Sequence, residues 1–295
     1  MQRFRFSRFD MIVGAVVALL IVLIAISALL LTPAAPASAS GAKIAYLGPT
    51  AGPFNIWLID PAQPGVAAQA ITNSTNGIFD FSVSADGRYI AYSEQLGELQ
   101  IAELLVIDLQ TKAIQQLTDC AGQDAYCTTP VWRPDGKVIA YQRVNLNTNL
   151  GVGPSAPRIW LLDMSREPAS TFQLFQNSDI LGSEPVWSTD GSKLVFYEST
   201  SQSVMVYDFN ATTPEEQALT IPAGNGMVGS LSPDGTKLVF PEILPAGETI
   251  PARAVLRVAD LSSQVITDLT PEEALTDDNV VAWNPNGTEL ALTRT

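Results

Sequence analysis

Histidine is absent from the 295 residues, and that absence excludes more chemistry than any residue present establishes. Without it there is no Ser-His-Asp or Cys-His triad, no histidine-ligated metal, and no side chain with an unperturbed pKa near neutrality. Cysteine is nearly absent too. Cys120 and Cys127 are the whole complement, too few to hold a metal with no imidazole to complete the set. Cations are scarce, 16 Lys and Arg against 30 Asp and Glu, for a net charge of −14. Three of those cations and one acid precede residue 11, so the rest of the chain carries 13 against 29, a net −16. A surface of that sign repels phosphate backbones and anionic headgroups, which excludes nucleic acid as a partner and disfavours docking on lipid. What survives is chemistry by carboxylates, and no cofactor is implied.

Long hydrophobic runs are also lacking, with one exception. Met11 to Leu31 contains neither charge nor proline, and at 1.5 Å per residue it spans roughly 31 Å, about the hydrocarbon thickness of a bilayer. Arg3, Arg5 and Arg8 precede this run and Lys43 is the first cation after it. The positive-inside rule therefore places residues 1–10 in the cytoplasm and everything beyond the span outside it. Ala37, Ser38 and Ala39 offer the alternative of a signal peptide cleaved after Ala39. A signal core is usually about 7–15 residues, however, and the greater length here favours an uncleaved single-pass anchor. Residues 32–40, rich in Pro, Ala and Ser, read as a tether to an outward domain over 41–295.

That domain is written as a repeat. VSADGRYIAY (Val83 to Tyr92), WRPDGKVIAY (Trp132 to Tyr141), WSTDGSKLVF (Trp187 to Phe196), LSPDGTKLVF (Leu231 to Phe240) and WNPNGTELAL (Trp283 to Leu292) align without a gap. Asp-Gly or Asn-Gly at the centre supplies the positive φ of a tight hairpin turn. Downstream, Ile90, Ile139, Leu194, Leu238 and Leu290 share a position, as do Tyr92, Tyr141, Phe196, Phe240 and Leu292 two residues on. Small residues stand between them, which predicts a strand buried on both faces with neighbouring sheets pressed against it. An apolar run closed by aspartate follows in each copy, ending at Asp60, Asp108, Asp163, Asp208 and Asp260. A Leu or Ile with Thr comes about ten residues later, at Thr72, Thr118, Thr220 and Thr270, with Leu174 and no Thr in one copy. The turn glycines recur every 44 to 55 residues. Four short strands, A to D, at that period predict an all-β chain of four-stranded β-propeller blades. A further B strand at Ile44 to Tyr46 brings the tally to five A, six B, five C and five D strands. This favours a six-bladed plan with incomplete closure over a five-bladed ring with a surplus strand, each alongside one N-terminal transmembrane helix.

The phrase W-S-P-D-G with K-L/I-A/V-F/Y, then I-W-L-x-D, then Q-L-T resembles the propeller repeats of the TolB family. It is carried here by Trp187, Asp190, Gly191, Lys193, Leu194, Val195 and Phe196, by Ile159 to Asp163, and by Gln116, Leu117 and Thr118, and the resemblance covers residues 41–295. It implies a six-bladed propeller that serves as an extracytoplasmic protein-binding platform. TolB itself has an additional N-terminal α/β domain where this chain has its apolar run, so no partner-binding segment carries over to a position here. Similar repeats also stand beside peptidase domains and in lyase-like propellers, whose active sites lean on histidine.

Candidate site residues are those that break the repeat. The strand-C and turn aspartates recur in every unit and read as turn caps. Asp80 and Glu184 do not recur: six residues before the turn, other copies have Thr129, Val228 and Val280, with Asp278 close by in the last. At the entry to strand A these acids are placed to converge on a channel mouth and hold a ligand, or to be plain solvated loop acids. The loop Val144 to Pro157 brings Asn145, Asn147 and Asn149 between Arg143 and Arg158, groups suited to hydrogen-bond a peptide or glycan, or simply a flexible connection. Pro241 to Ala252 is a second long insertion on the same side. Outside the cytoplasm Cys120 and Cys127 are expected to form a disulfide worth about 2–3 kcal/mol; the alternative is a free pair without a role. The composition thus predicts a non-catalytic binding platform for a protein, peptide or cell-envelope polymer such as a glycan. The enzymatic alternative is a carboxylate-based glycoside hydrolase or lyase using two of the channel acids about 5–10 Å apart.

Overall fold

A computed structural model describes residues 42–294 apart from 50, 98–100, 167, 177–178, 225–226, 248–249 and 272–275. The apolar run Met11 to Leu31 and its tether lie outside the described residues. Among those described, no helix is long and apolar enough to cross a membrane.

Among the described residues, twenty-one strands form six sheets. The first contains β1 (Ile44–Gly48), β2 (Asn55–Ile59) and β3 (Gln69–Ala70), in that order. The second runs β4 (Ile78–Val83), β5 (Tyr89–Leu96), β6 (Ile101–Asp108) and β7 (Ile114–Gln116). The third runs β8 (Ala125–Trp132), β9 (Val138–Asn145), β10 (Arg158–Asp163) and β11 (Ser170–Gln173). The fourth is β12 (Ser183–Trp187), β13 (Lys193–Glu198), β14 (Ser203–Asp208) and β15 (Leu219–Pro222). The fifth is β16 (Ser230–Leu231), β17 (Lys237–Leu244), β18 (Arg253–Asp260) and β19 (Ile266–Asp268), and β20 (Asp278–Trp283) with β21 (Leu290–Arg294) makes the sixth. The expected roles follow one for one: three strands B to D, four complete sets, then A and B.

The chain divides into two compact units. In the smaller, which includes residues 57–70, Trp57 pairs Ala70 and Leu58 pairs Gln69, and the Asp60 carboxylate accepts from the Ala62 amide at 3.0 Å to fold the turn between them. The larger comprises 47–56 and everything from 71 on.

Within the larger unit the repeated phrase works as its composition requires. Gly87, Gly136, Gly191, Gly235 and Gly287 sit at φ between 67° and 72°, where a side chain would be strained. The turn aspartate accepts from its neighbours: Ser84 Oγ and the Arg88 amide both donate to Asp86 Oδ1, at 2.6 and 3.0 Å. Ser188 and Ser232 repeat the bond to Asp190 and Asp234. The next strand is then buried on both sides, Ile90, Ile139, Leu194 and Leu238 each being 0% exposed. Period two divides its side chains between neighbours. Ile139 and Tyr141 pack in a cluster with Ala91, Leu104 and Val106 of the preceding sheet, whereas Ala140 packs with Leu194 and Phe196 of the following one. The same division recurs with Val195 against Leu238 and Phe240, and with Val239 against Val281. A sheet with two apolar faces has no solvent side, so each must be sandwiched, and side-by-side stacking is the result. In β21 the pattern Leu290-Ala291-Leu292 persists, but Leu292 is 38% exposed.

The Leu-Thr phrase has a defined purpose as well. Thr72, Thr118 and Thr270 accept through Oγ1 from the amides of Ile56, Leu104 and Leu256, at 2.8, 2.9 and 3.4 Å, satisfying a strand-C amide with a side chain just beyond the residues paired with strand D. The repeated tryptophan ties one sheet to the last: Trp187 Nε1 donates to Val131 O and Trp283 Nε1 to Ser230 O, both at 3.1 Å. Trp132 packs against Tyr89 instead, ring centroids 6.2 Å apart, and its Nε1 is buried without a partner.

Candidate functional site

The recurring aspartates are structural. Asp108 accepts from the amides of Gln110 and Thr111 and pairs with Arg88 at 2.7 Å, which together hold its carboxyl at about 2. Asp260 is capped likewise by Ser262 and Ser263, whose bonds lower its pKa, and Asp163 by Ser165. These bonds repeat from unit to unit and shape the local turns.

The three non-repeating acids have different fates. Strand A is bulged near each of them, between Ile78 and Asp80, Ser183 and Val186, and Asn279 and Val281, and again between Thr128 and Val131. At these bulges Thr129, Glu184 and Val280 take left-handed backbone with φ of 55°, 54° and 40°, and Gly229 does so at 77°. Asp80 spends its carboxylate inside the unit: Ser93 Oγ donates to Oδ1 in a very short bond, and the Thr129 amide of the next sheet donates to Oδ2 at 2.8 Å. Burial nevertheless pushes its pKa up, against the lowering by those two donors. Asp278 is 0% exposed and takes a bidentate pair from Arg294, at 2.6 and 2.8 Å, plus the Thr270 hydroxyl at 2.5 Å; the Arg294 guanidinium pulls its pKa down. Glu184 stays exposed.

A cleft of about 330 Å³ opens at Asp80, lined by Phe79, Tyr126 and Thr128. Glu184 in β12 and Asp278 in β20 are not part of that lining. Strand alternation explains the composition. In β8, Ala125 and Cys127 point into the core at 0% exposure, which leaves Tyr126 and Thr128 for the other face. Phe79, 47% exposed, supplies the apolar wall from β4.

The loops around this cleft are braced. Cys120 and Cys127 form the expected disulfide, Cα atoms 6.1 Å apart, across the 3-10 turn Ala121–Gln123. Beneath it lies Glu103, 1% exposed, which sequence reasoning missed. Its carboxylate accepts from Thr118 Oγ1 at 2.5 Å, from the Cys120 amide at 2.9 Å and from the Ala121 amide at 2.7 Å. The available signal was an acid inside the apolar run Ile101-Ala102-Glu103-Leu104-Leu105, where burial demands a set of donors.

The loop after β9 is hydrogen-bonded to this turn. Asp124 accepts from the Thr148 amide at 2.8 Å and the Thr148 hydroxyl at 2.6 Å, and its own carbonyl accepts from the Leu146 amide at 2.7 Å. Ser155 Oγ accepts from the Asn145 amide, and Asn147 Nδ2 donates to Gly153 O at 3.1 Å. Asn147 and Asn145 are therefore used in part to shape the loop, while Asn149 sits exposed on the 3-10 turn Thr148–Leu150. The tip presents Leu150 at 74% and Val152 at 58% exposure. Arg143 lies over the Trp160 ring, 4.6 Å from its centroid, and is directly opposite Arg158 in the β9–β10 register. The disulfide turn, the braced loop and the cleft all stand at one end of the second and third sheets. The A–B turns stand at the other.

Stacked antiparallel four-stranded sheets with a loop-built site at one end define a β-propeller class of protein. The family model of the TolB beta propeller domain matches residues 42–295, and the chain belongs to that family. Among solved structures, TolB from Acinetobacter baumannii is similar at 20% identity and a TM-score of 0.58, over 84% of this chain and 57% of that one. A prolyl endopeptidase structure is similar at 16% identity and 0.60, over 87% of this chain and 39% of that one. The propeller domain of the trilobed protease from Pyrococcus furiosus, described as having an open velcro topology, is similar at 14% identity and 0.54, over 82% and 71%. These likenesses establish the fold alone. The chain spans little more than half the length of the Acinetobacter TolB. No curated protein matches it.

Proposed function

We propose that this chain is a membrane-anchored, extracytoplasmic propeller on a six-bladed plan with incomplete closure, and that it binds a protein or peptide without catalysis. One observation carries the reading. The disulfide turn with Glu103 beneath it and the loop after β9 are tied together through Asp124 at the end of the sheets that carries the cleft of Phe79, Asp80, Tyr126 and Thr128, and the loop tip exposes Leu150 and Val152. Rigid display of apolar and aromatic groups on loops is what recognition needs, because the ordering cost is met before the partner arrives. Membership of the TolB propeller family supports a platform role. Six separate sheets support the blade count, and the open topology described for the trilobed protease propeller supports incomplete closure. Met11 to Leu31 and the three arginines before it support the anchor and its orientation. The candidate binding residues are Asp80, Glu184, Arg143, Asn145, Asn147, Asn149 and Arg158, with Tyr126 and Phe79 added from the cleft; Asp278 is set aside because its buried carboxylate is taken by Arg294 and Thr270.

The test is affinity capture from native membranes with the full chain and with a variant whose residues 147–153 are replaced by a two-residue turn. A specific partner kept by the first and lost by the second is the expected result. An identical partner set for both removes this face from the account. Protease protection of the tagged ends in intact cells tests the orientation, the C-terminal tag alone being accessible from outside.

A further inference from the structure

Acids so outnumber cations here, 30 to 16, that a guanidinium finds a carboxylate almost by default. Arg88, Arg133, Arg166, Arg257 and Arg294 each have one. Arg143 departs from that pattern. Its guanidinium is laid over Trp160, Nη1 donates to Gln123 Oε1 at 2.9 Å, and Nε is buried with no partner; among the described residues no carboxylate pairs with it. Arg158 stands directly across from it in the β9–β10 register.

We propose that Arg143 is the anchor for a carboxylate of the partner, presented by an acidic extended peptide segment; this rests on the platform reading above and names its ligand chemistry. The geometry selects the mode of contact. Because Nε is sealed inside, the Nη1–Nη2 end is the part left for a ligand, and two parallel N–H groups there match the two oxygens of a carboxylate. Stacking on Trp160 and the Gln123 amide fix that fork in advance. Gln123 itself belongs to the 3-10 turn inside the disulfide loop, so the Cys120–Cys127 bond helps to aim the guanidinium. The net −16 of the outward chain opposes anions at a distance, but that repulsion is screened over about 8 Å at physiological salt. An acidic segment therefore gains from Arg143 only once it is in contact, with the apolar loop tip at Leu150 and Val152 supplying the rest of the adhesion.

The test is nuclear magnetic resonance of the full chain in detergent micelles, following the Nε–Hε signal of Arg143 and assigning it by its loss in Arg143→Lys. Acetyl-tetraglutamate amide is titrated to about 10 mM, a range set by the millimolar affinity typical of small contacts, with acetyl-tetraglutamine amide and inorganic phosphate as parallel arms. A saturable shift with the glutamate peptide alone is the expected result, and the affinity, read in both proteins from the indole N–H of Trp160 beneath the guanidinium, is weakened about tenfold or more in Arg143→Lys because the fork is lost. No shift, or an equal shift with the glutamine peptide, overturns the proposal, and tighter response to phosphate overturns the carboxylate assignment. Should Arg143→Lys fail to fold, Gln123→Leu on the exposed turn serves instead, and glutamate-peptide affinity unchanged in that variant counts against the aimed fork. A membrane partner that Arg143→Lys still captures sinks the anchor while the platform stands; a wild-type chain that captures nothing sinks the platform, whatever the peptide does.

Discussion

Glu103 gives the most demanding prediction. Replacing it with alanine removes the acceptor for the Cys120 and Ala121 amides and the Thr118 hydroxyl in a region closed to water. A buried donor left without a partner costs about 1–3 kcal/mol. The Thr118 hydroxyl can turn elsewhere, so two orphaned amides and the lost methylenes set Glu103→Ala at about 3–5 kcal/mol of destabilisation. Glu103→Gln is milder. With its carbonyl oxygen in the place of Oε2 it keeps the bonds from Thr118 and Cys120 and sets an NH₂ against the Ala121 amide alone, a loss of about 1–2 kcal/mol. Urea unfolding followed by tryptophan fluorescence reads both values from the midpoint shifts. Reducing the disulfide frees the turn to hydrate, so under reductant the Glu103→Ala penalty falls, a non-additivity expected of groups in one network. A penalty below about 1 kcal/mol for alanine, or equal penalties for alanine and glutamine, refutes the assignment of Glu103 as the acceptor that organises this turn.

Two further substitutions test the bulged A strands. Gly229, at φ 77°, leaves no room for a side chain: a Cβ there comes 2.0 Å from Val239 O, so Gly229→Ala forces backbone apart and destabilises by more than about 3 kcal/mol in the same unfolding assay. Asp80→Asn keeps both bonds, accepting from the Thr129 amide and donating to Ser93, but removes the ionisation that burial opposes. Because the folded pKa of Asp80 lies above the ordinary 3.8, the native state holds more protons than the unfolded chain just above that pH, and wild type loses stability as pH rises through this window. The stability of Asp80→Asn relative to wild type must therefore grow between pH 3.5 and 7; a flat or falling difference contradicts the buried placement.

Much of the fold was legible because its cause is local. Asp-Gly turns need no partner to be recognised, and strands with apolar residues at both parities can only be sandwiched, so Ile90, Ile139 and Leu194 could be assigned to the core before any sheet was seen. The capping aspartates were readable for the same reason. The site was legible only in outline. Asp80 and Asp278 stand out in an alignment of repeats, yet whether such an acid faces a ligand or an internal donor depends on Thr129, Ser93 and Arg294, which are 49, 13 and 16 positions away. The loop Val144 to Pro157 reads equally as a flexible connection or a contact surface, because the brace from Asp124 crosses from a different connection. Periodicity carries no record of such a crossing.

The central claim is that the disulfide-braced end of the second and third sheets is where a partner sits. Photo-crosslinking in intact cells, with the reactive group placed in turn at Tyr126, Leu150 and Lys137, tests it directly. Tyr126 and Leu150 at the braced end should capture the same partner band and Lys137, exposed in the turn at the opposite end of β9, none. Capture from Lys137 with nothing from Tyr126 or Leu150 would contradict the account.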